Sequence, residues 1–154
     1  MLKKFFILVT IICLGNVMSI TAQDTIAVKF AVSIPKGSKL NVEQSNELKE
    51  KIQMILGRDN AYDASSTYYI VPSVKVIETK VSEGTLRPFA TTEGELTLNT
   101  CHGEQIMNSL TIKLRDSYAA DEKTDPTLRL IRAINIKDRR YVRFIRNSQN
   151  RITQ

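Results

Sequence analysis

Tryptophan is absent from this 154-residue chain, histidine occurs once and cysteine twice. Each scarcity excludes something. With His102 as the single imidazole, a zinc centre cannot be assembled, because zinc takes three or four nitrogen or sulfur ligands at short spacings. Cys13 and Cys101 are the only cysteines, and Cys13 lies inside an apolar leader, so a disulfide framework is excluded for the rest of the chain. Cys101 is expected as a buried free thiol, with pairing between chains as the alternative. The absence of Trp removes the usual stacking platform for sugars. Four prolines and six glycines, beside 42% hydrophobic and 25% charged residues, exclude a disordered or collagen-like chain.

What is present begins with an address. Lys3 and Lys4 precede an apolar run of about ten residues, Phe5 to Leu14, and a more polar stretch ends at the small residue Ala22. This is the build of a cleavable secretory signal over residues 1–22. A spanning helix needs about 20 predominantly apolar residues, and Gly15, Asn16 and Ser19 interrupt the run too early. A lipid-anchoring reading at Cys13 would place bulky Ile12 before the acylated residue and truncate the apolar run. The expected product is residues 23–154, one ordinary domain with a single core, exported to the periplasm or outer envelope, with no transmembrane span after cleavage.

Charge is unevenly placed. The net formal charge is +6, of which Lys3 and Lys4 carry two, leaving about +4 after cleavage. Residues 126–154 hold Arg129, Arg132, Lys137, Arg139, Arg140, Arg143, Arg146 and Arg151 against Asp138 alone. The remainder of the exported chain is mildly acidic.

Residues 25–34 (TIAVKFAVSI) read as a strand stopped by Pro35-Lys36-Gly37. Asn41 and Gln44 stand at capping-box spacing, and Leu48, Ile52, Ile55 and Leu56 recur with helical period. Gly57 is expected to end that helix in a left-handed conformation. The polar side of the helix, Glu43, Glu47, Lys49, Glu50 and Lys51, is expected to be solvated. Residues 58–66 read as a polar loop, and 67–80 (TYYIVPSVKVIETK) as a long strand that Pro72 confines to an edge or a bulge, since proline cannot donate to a ladder. Residues 90–101 and 106–115 alternate as an antiparallel hairpin, with Leu96, Leu98, Leu110, Ile112 and Leu114 inward. After a polar loop over 117–125, Asp125-Pro126 opens a helix carrying Leu128, Ile131 and Ile134. Asp138 caps a last helix with an apolar stripe of Tyr141, Val142, Ile145 and Ile152, and with Arg139, Arg143 and Arg146 on another side. Thus 126–152 forms a basic helical segment, and there is no internal repeat.

The order β-α-β-β-β-α-α predicts an α+β fold: a small mixed sheet of about four strands with helices packed on one face.

The segments LKEKIQMIL (48–56), YYIVPSVKVIETK (68–80), EGELTL (93–98) and LIRAINIKDRRYVRFIRN (130–147) resemble secreted, uncharacterised proteins of Bacteroides-type (Bacteroidota) bacteria. The strand–helix–strand opening, with Tyr69-Ile70-Val71 in the long strand, is similar to a module of envelope assembly proteins. Examples are the N-terminal domain of the translocation protein TolB, the lipoprotein activators of penicillin-binding proteins and the curli secretion channel. That resemblance implies an envelope module that binds other proteins. The chain has no acylated cysteine in a lipobox and no membrane-spanning hairpin, so lipid anchoring and pore formation are not implied.

Candidate chemistry is thin. Cys101-His102 has the residue types of a nucleophile and base, but neighbours on a strand point to opposite faces. Asp59, Asn60 and Asp63 lack the glycine and distal Glu of a calcium loop and read as a polar turn. Glu93 and Glu95 share a strand face about 7 Å apart, compatible in spacing with a glycosidase pair, and read as surface decoration. Pro35-Lys36-Gly37-Ser38-Lys39 lacks the elements of a phosphate-binding loop, and no serine nucleophile elbow occurs.

The expectation is therefore a non-enzymatic envelope protein without cofactor or metal, acting as a protein-binding or assembly module. Its partner would be an envelope protein, met at the sheet edge near Pro72 or on the C-terminal helical face. The alternative is a binder of an anionic polymer or membrane surface through Arg139, Arg140, Arg143 and Arg146 as charge-assisted donors. Nucleic acid is not an expected partner of an exported protein.

Overall fold

A computed structural model describes residues 27–83 and 87–154. The expected signal segment and its cleavage point lie outside the described residues. The elements follow in the order β1 (Ala31–Val32), α1 (Val42–Arg58), β2 (Tyr68–Ser82), β3 (Phe89–His102), β4 (Gln105–Ala119), α2 (Pro126–Arg132) and α3 (Arg139–Thr153). The strands form one mixed sheet in the order β1-β2-β3-β4, with β1 parallel to β2 and the others antiparallel. The fold is α+β, with all three helices against one face.

The first strand is shorter than its composition suggests. Among the described residues of the β-rich stretch, 27–34, Ala31 and Val32 form a ladder strand, preceded by an isolated bridge between Phe30 and Tyr62. Phe30 N donates to Ala61 O at 2.8 Å and Asp63 N to Phe30 O at 3.0 Å, so this stretch leans on the loop after α1 before it reaches β2.

Helix α1 begins where its sequence indicates. Asn41 Oδ1 accepts from Gln44 N at 2.9 Å, and Gln44 Oε1 accepts from Asn41 N at 2.8 Å, satisfying two otherwise orphaned donors. Leu48, Ile52, Ile55 and Leu56 are buried, each side chain contributing about 1.5–3 kcal/mol by leaving water. Its end differs from expectation. Gly57 is helical, and the left-handed residue is Asn60, with φ 51°. An asparagine tolerates that region, and the reversal there lets Ala61 N bond back to Leu56 O at 2.9 Å while Ala61 is buried.

Strands β2 to β4 are long and run past the stretches their alternation marked, with β4 reaching Ala119 in place of a loop from 117. Gly103, at φ 57°, makes the turn between β3 and β4. Pairing puts Val74, Leu96 and Ile112 in one row, and Pro72, Leu98 and Leu110 in the next, all on the helix-covered face. The opposite face is a polar surface. Lys75, Glu95 and Lys113 form one row, and Ser73, Thr97 and Thr111 another, with the two threonine hydroxyls 3.2 Å apart.

Helix α2 is capped by Asp125, whose Oδ1 accepts from Leu128 N at 3.0 Å, and it buries Leu128, Leu130 and Ile131. Leu130 reaches the sheet because Gly94 lies beneath it: a Cβ at that position would stand 2.4 Å from Leu130 Cδ1 and 2.4 Å from Lys75 O. Helix α3 is capped by Asp138 and buries Tyr141, Phe144, Ile145 and Ser148. Val142, expected in the buried stripe, is 38% exposed, and Phe144 and Ser148 take its place. The polar side of α1 is also more than solvated. Arg132 holds Glu47 at 2.7 Å and lies 3.5 Å from Glu43, while Arg58 Nη1 donates to Ile136 O at 2.6 Å. These contacts tie α1 to the C-terminal helices. Among the described residues no helix is long and apolar enough to cross a membrane.

Candidate functional site

The clearest opening in the molecule follows from two prolines. In the parallel ladder Ser33 N donates to Ile70 O at 3.0 Å. The next two bonds of such a ladder would run from residue 72 N to Ser33 O and from residue 35 N to the carbonyl of residue 72. Both positions are proline and have no N–H, so the ladder cannot continue. The chain instead turns away through Pro35-Lys36-Gly37, with Ser38 N bonded to Pro35 O at 2.9 Å.

No strand pairs with the edge of β2 beyond Ile70 on this side, although Pro72 itself is fully buried. Backbone groups alternate sides along a strand. Since Ile70 O points toward β1, the same side carries Pro72 C=O and the N–H and C=O groups of Val74 and Val76. Among the described residues these have no backbone partner on that side. The regular alternation of these groups breaks at the irregularity between Val76 and Glu78, beyond which β2 runs on to Ser82 paired with β3. Pro72 thus occupies an edge, as its chemistry demands, and the bulge lies five residues further on.

Beside this edge lies a groove of about 490 Å³ lined by Pro35, Leu40, Val71, Pro72 and Val74, with Lys39 and Ser38 at its mouth. A second, smaller hollow of about 270 Å³ lies on the other side of the same loop and includes Lys36 and Val42, which is 79% exposed. The 35–40 loop therefore forms a ridge lining both hollows, with Lys36 in one and Lys39 in the other.

Helix α3 displays the basic segment. With its buried line through Tyr141, Phe144, Ile145 and Ser148, the helical repeat places Arg139, Arg143 and Arg146 along the outermost line. Among the described residues these three form no ion pair, whereas Arg140 is held by Asp138 at 2.6 Å. That pairing keeps the Asp138 carboxyl below its ordinary range. The four arginines are thus not equivalent. Arg140 belongs to the cap, and it shares with Arg143, Asn108 and Asn147 a hollow of about 260 Å³ against β4, while Arg146 lies in another, of about 200 Å³, beside Asp59.

The remaining chemical candidates are dispersed. Glu93 and Glu95 lie on the open polar face, Glu93 3.6 Å from Arg115 and Glu95 between Lys75 and Lys113 in its row. His102 is about 20 Å away at the far end of β3 by strand rise. Its ring stacks on Tyr68 at 4.8 Å between centroids. Cys101 is buried, its thiol pushed up by desolvation and directed at Asn99 O at 3.8 Å, so a thiolate is disfavoured. Asp63 accepts from Ser65 N at 2.9 Å and from the Ser65 hydroxyl at 2.7 Å, closing a turn on itself. Among the described residues no three His, Cys, Asp or Glu side chains gather as a metal site.

Pro72 as an edge residue was legible in the sequence; its pairing with Pro35 was not. The signal was available as two prolines at the ends of neighbouring parallel strands, but the register that aligns them appears only in three dimensions.

No family model matches the chain, and no curated protein matches it. Among solved structures, a minor lipoprotein from Acinetobacter baumannii is similar in shape, with a TM-score of 0.49 and 14% identity over 82% of this chain and 96% of that one. A candidate lipoprotein from Caulobacter crescentus gives 0.39 and 11% identity over 80% of this chain and 83% of that one. A candidate homologue of neuraminyllactose-binding hemagglutinin from Helicobacter pylori gives 0.39 and 16% identity over 82% of this chain and 83% of that one. None of them supplies a residue or a role to the sites described above.

Proposed function

We propose that this chain is an exported, non-enzymatic protein of the cell envelope that binds a protein partner by strand addition along the edge of β2. The observation that carries the reading is the paired loss of donors at Pro35 and Pro72, which stops the parallel ladder and leaves the outward groups of Val74 and Val76 without a strand partner beside an apolar groove. Unpaired strand edges recruit extended segments through main-chain bonds, with side-chain pockets giving specificity. The leader supports export, and the scatter of Glu93, Glu95, Cys101 and His102 supports a binding rather than a catalytic role. The test is Val74→Pro, which deletes one outward donor and leaves the β3 side of the ladder intact. Partner capture from envelope extract should fall at least tenfold while thermal stability changes little. Undiminished capture would sink the reading.

A second reading rests on a different observation, the outward arginine line of α3. Arg139, Arg143 and Arg146 without ion pairs would attract a phosphate-bearing polymer or anionic membrane surface. Such binding weakens steeply with salt, because exposed charges separated by more than about 8 Å are screened at physiological ionic strength. Replacing the three arginines by glutamine should abolish sedimentation with anionic vesicles at low salt and leave Val74-dependent capture untouched. Vesicle binding that persists in the triple variant, or at high salt, would eliminate this reading.

A further inference from the structure

We infer that the segment received by the β2 edge is a short extended stretch of a partner protein in which apolar residues alternate with acidic ones, an inference that rests on the strand-addition reading above. The backbone fixes the register. Pro72 has no N–H and is fully buried, so the register begins at Val74. Val74 N–H then donates to a ligand carbonyl, Val74 O accepts a ligand N–H, and Val76 N–H donates to a second ligand carbonyl. The irregularity after Val76 ends the usable edge. The footprint is Val74 to Val76, about 10 Å of strand.

The two faces of the sheet dictate the side chains. A ligand residue pointing to the helix-covered face meets Val74 and Leu40, both partly buried and packed on the core. That environment takes an aliphatic side chain. A ligand residue pointing to the open face stands beside Ser73 and Lys75, while Lys39 lines the groove itself and Lys36 the neighbouring hollow. No Asp or Glu lines either hollow of the ridge. Glu95 lies across the sheet from Lys75, but Lys113 flanks it on the other side, so this row too carries net positive charge. Alternation of period two in the ligand therefore matches apolar to the floor and acidic to the lysines, and a basic segment is disfavoured by like charge.

The experiment uses the purified chain and fluorescence anisotropy with three blocked seven-residue peptides. One alternates Val with Glu, one alternates Val with Lys, and one is the Val/Glu peptide N-methylated at every second amide to delete its donors. A photocrosslinker at Ser73 in living cells runs in parallel. The expected result is binding of the Glu peptide at least tenfold tighter than either control, reversed in favour of the Lys peptide in the Lys39→Glu, Lys75→Glu variant. Those two lysines are solvent-facing, so the variant folds. Equal binding of the Glu and Lys peptides overturns the inference. So does a crosslink at Ser73 to a second copy of the chain. Protection of the Val74 amide from exchange in the dilute isolated chain overturns it as well, since the edge would then be occupied by the chain itself. Peptide failure with a foreign protein crosslinked at Ser73 removes this occupant and leaves the docking edge standing, whereas failure of both removes the two readings together.

Discussion

The hydroxyls of Thr100 on β3 and Ser148 on α3 meet at 2.9 Å, and neither residue has any exposed surface. Ser148 also donates to Phe144 O at 2.9 Å, and Asn108 Nδ2 reaches the same hydroxyl at 3.0 Å. One serine thus satisfies groups on two strands and on its own helix, and it fixes the rotation of α3 that turns the arginine line outward. Ser148→Ala would leave Thr100 and Asn108 short of a buried partner, which costs about 1–3 kcal/mol. Urea denaturation should show that loss. Thr100→Val combined with Ser148→Ala should cost less than the two single changes added together, because the unsatisfied hydroxyl is then gone.

Period and capping carried most of the fold. Leu48, Ile52, Ile55 and Leu56, the Asn41–Gln44 box, and the alternating Leu96, Leu98, Leu110, Ile112 and Leu114 all lie where local pattern places them, because each is set by neighbours within one element. The misplacements share a different cause. The shortness of β1 depends on a register between residues 38 positions apart, and the left-handed turn fell to Asn60 because burial of Ala61, not glycine's freedom at Gly57, decides where the chain reverses. The apolar stripe named for the last helix omitted Ser148, whose partner Thr100 comes from a strand 48 residues earlier in sequence. The candidate site shows the same division: Pro72 announces an edge, while Pro35 explains why no strand pairs with it.

Gly94 is the point where the sheet admits helix α2. It pairs with Val76 on one side and Leu114 on the other, directly beside the irregularity of β2. A methyl group there meets Leu130 Cδ1, which can swing away, and Lys75 O, which is backbone and cannot. Gly94→Ala should therefore destabilise by about 3 kcal/mol, at the upper end of overpacking effects, and lower the thermal midpoint accordingly. A variant with an unchanged midpoint would show that α2 does not rest on this contact.

Tyr141 is 2% exposed at the start of α3, and burial, helped by the Asp138 carboxylate and opposed by Arg140, pushes its phenol up to about 12 from an ordinary value of 10.0. The folded chain therefore holds this proton more tightly than the unfolded chain. Stability is complete below pH 10 and declines as pH rises toward 12, by about 1.4 kcal/mol per pH unit. Denaturant midpoints measured between pH 9 and pH 12 should trace that decline. Tyr141→Phe, which keeps the ring, should remove this component and flatten the alkaline limb while changing stability little at neutral pH.

If the two prolines hold the β2 edge open, restoring both amides should close it. Pro35→Val supplies a donor for the carbonyl of residue 72, and Pro72→Val supplies a donor for Ser33 O, so the parallel ladder can run on past Ser33. Valine is β-branched and suits an extended, half-buried position, which favours the longer strand once the ring constraint is gone. The doubly substituted chain should show slowed amide exchange at positions 35 and 72, the 35–40 segment drawn over the groove, and partner capture reduced at least tenfold. Either single replacement restores only one bond and should give a smaller loss. Full capture by the double variant, with position 72 protected, would mean that the edge is not where the partner sits, because the outward groups would then be occupied by the chain's own strand.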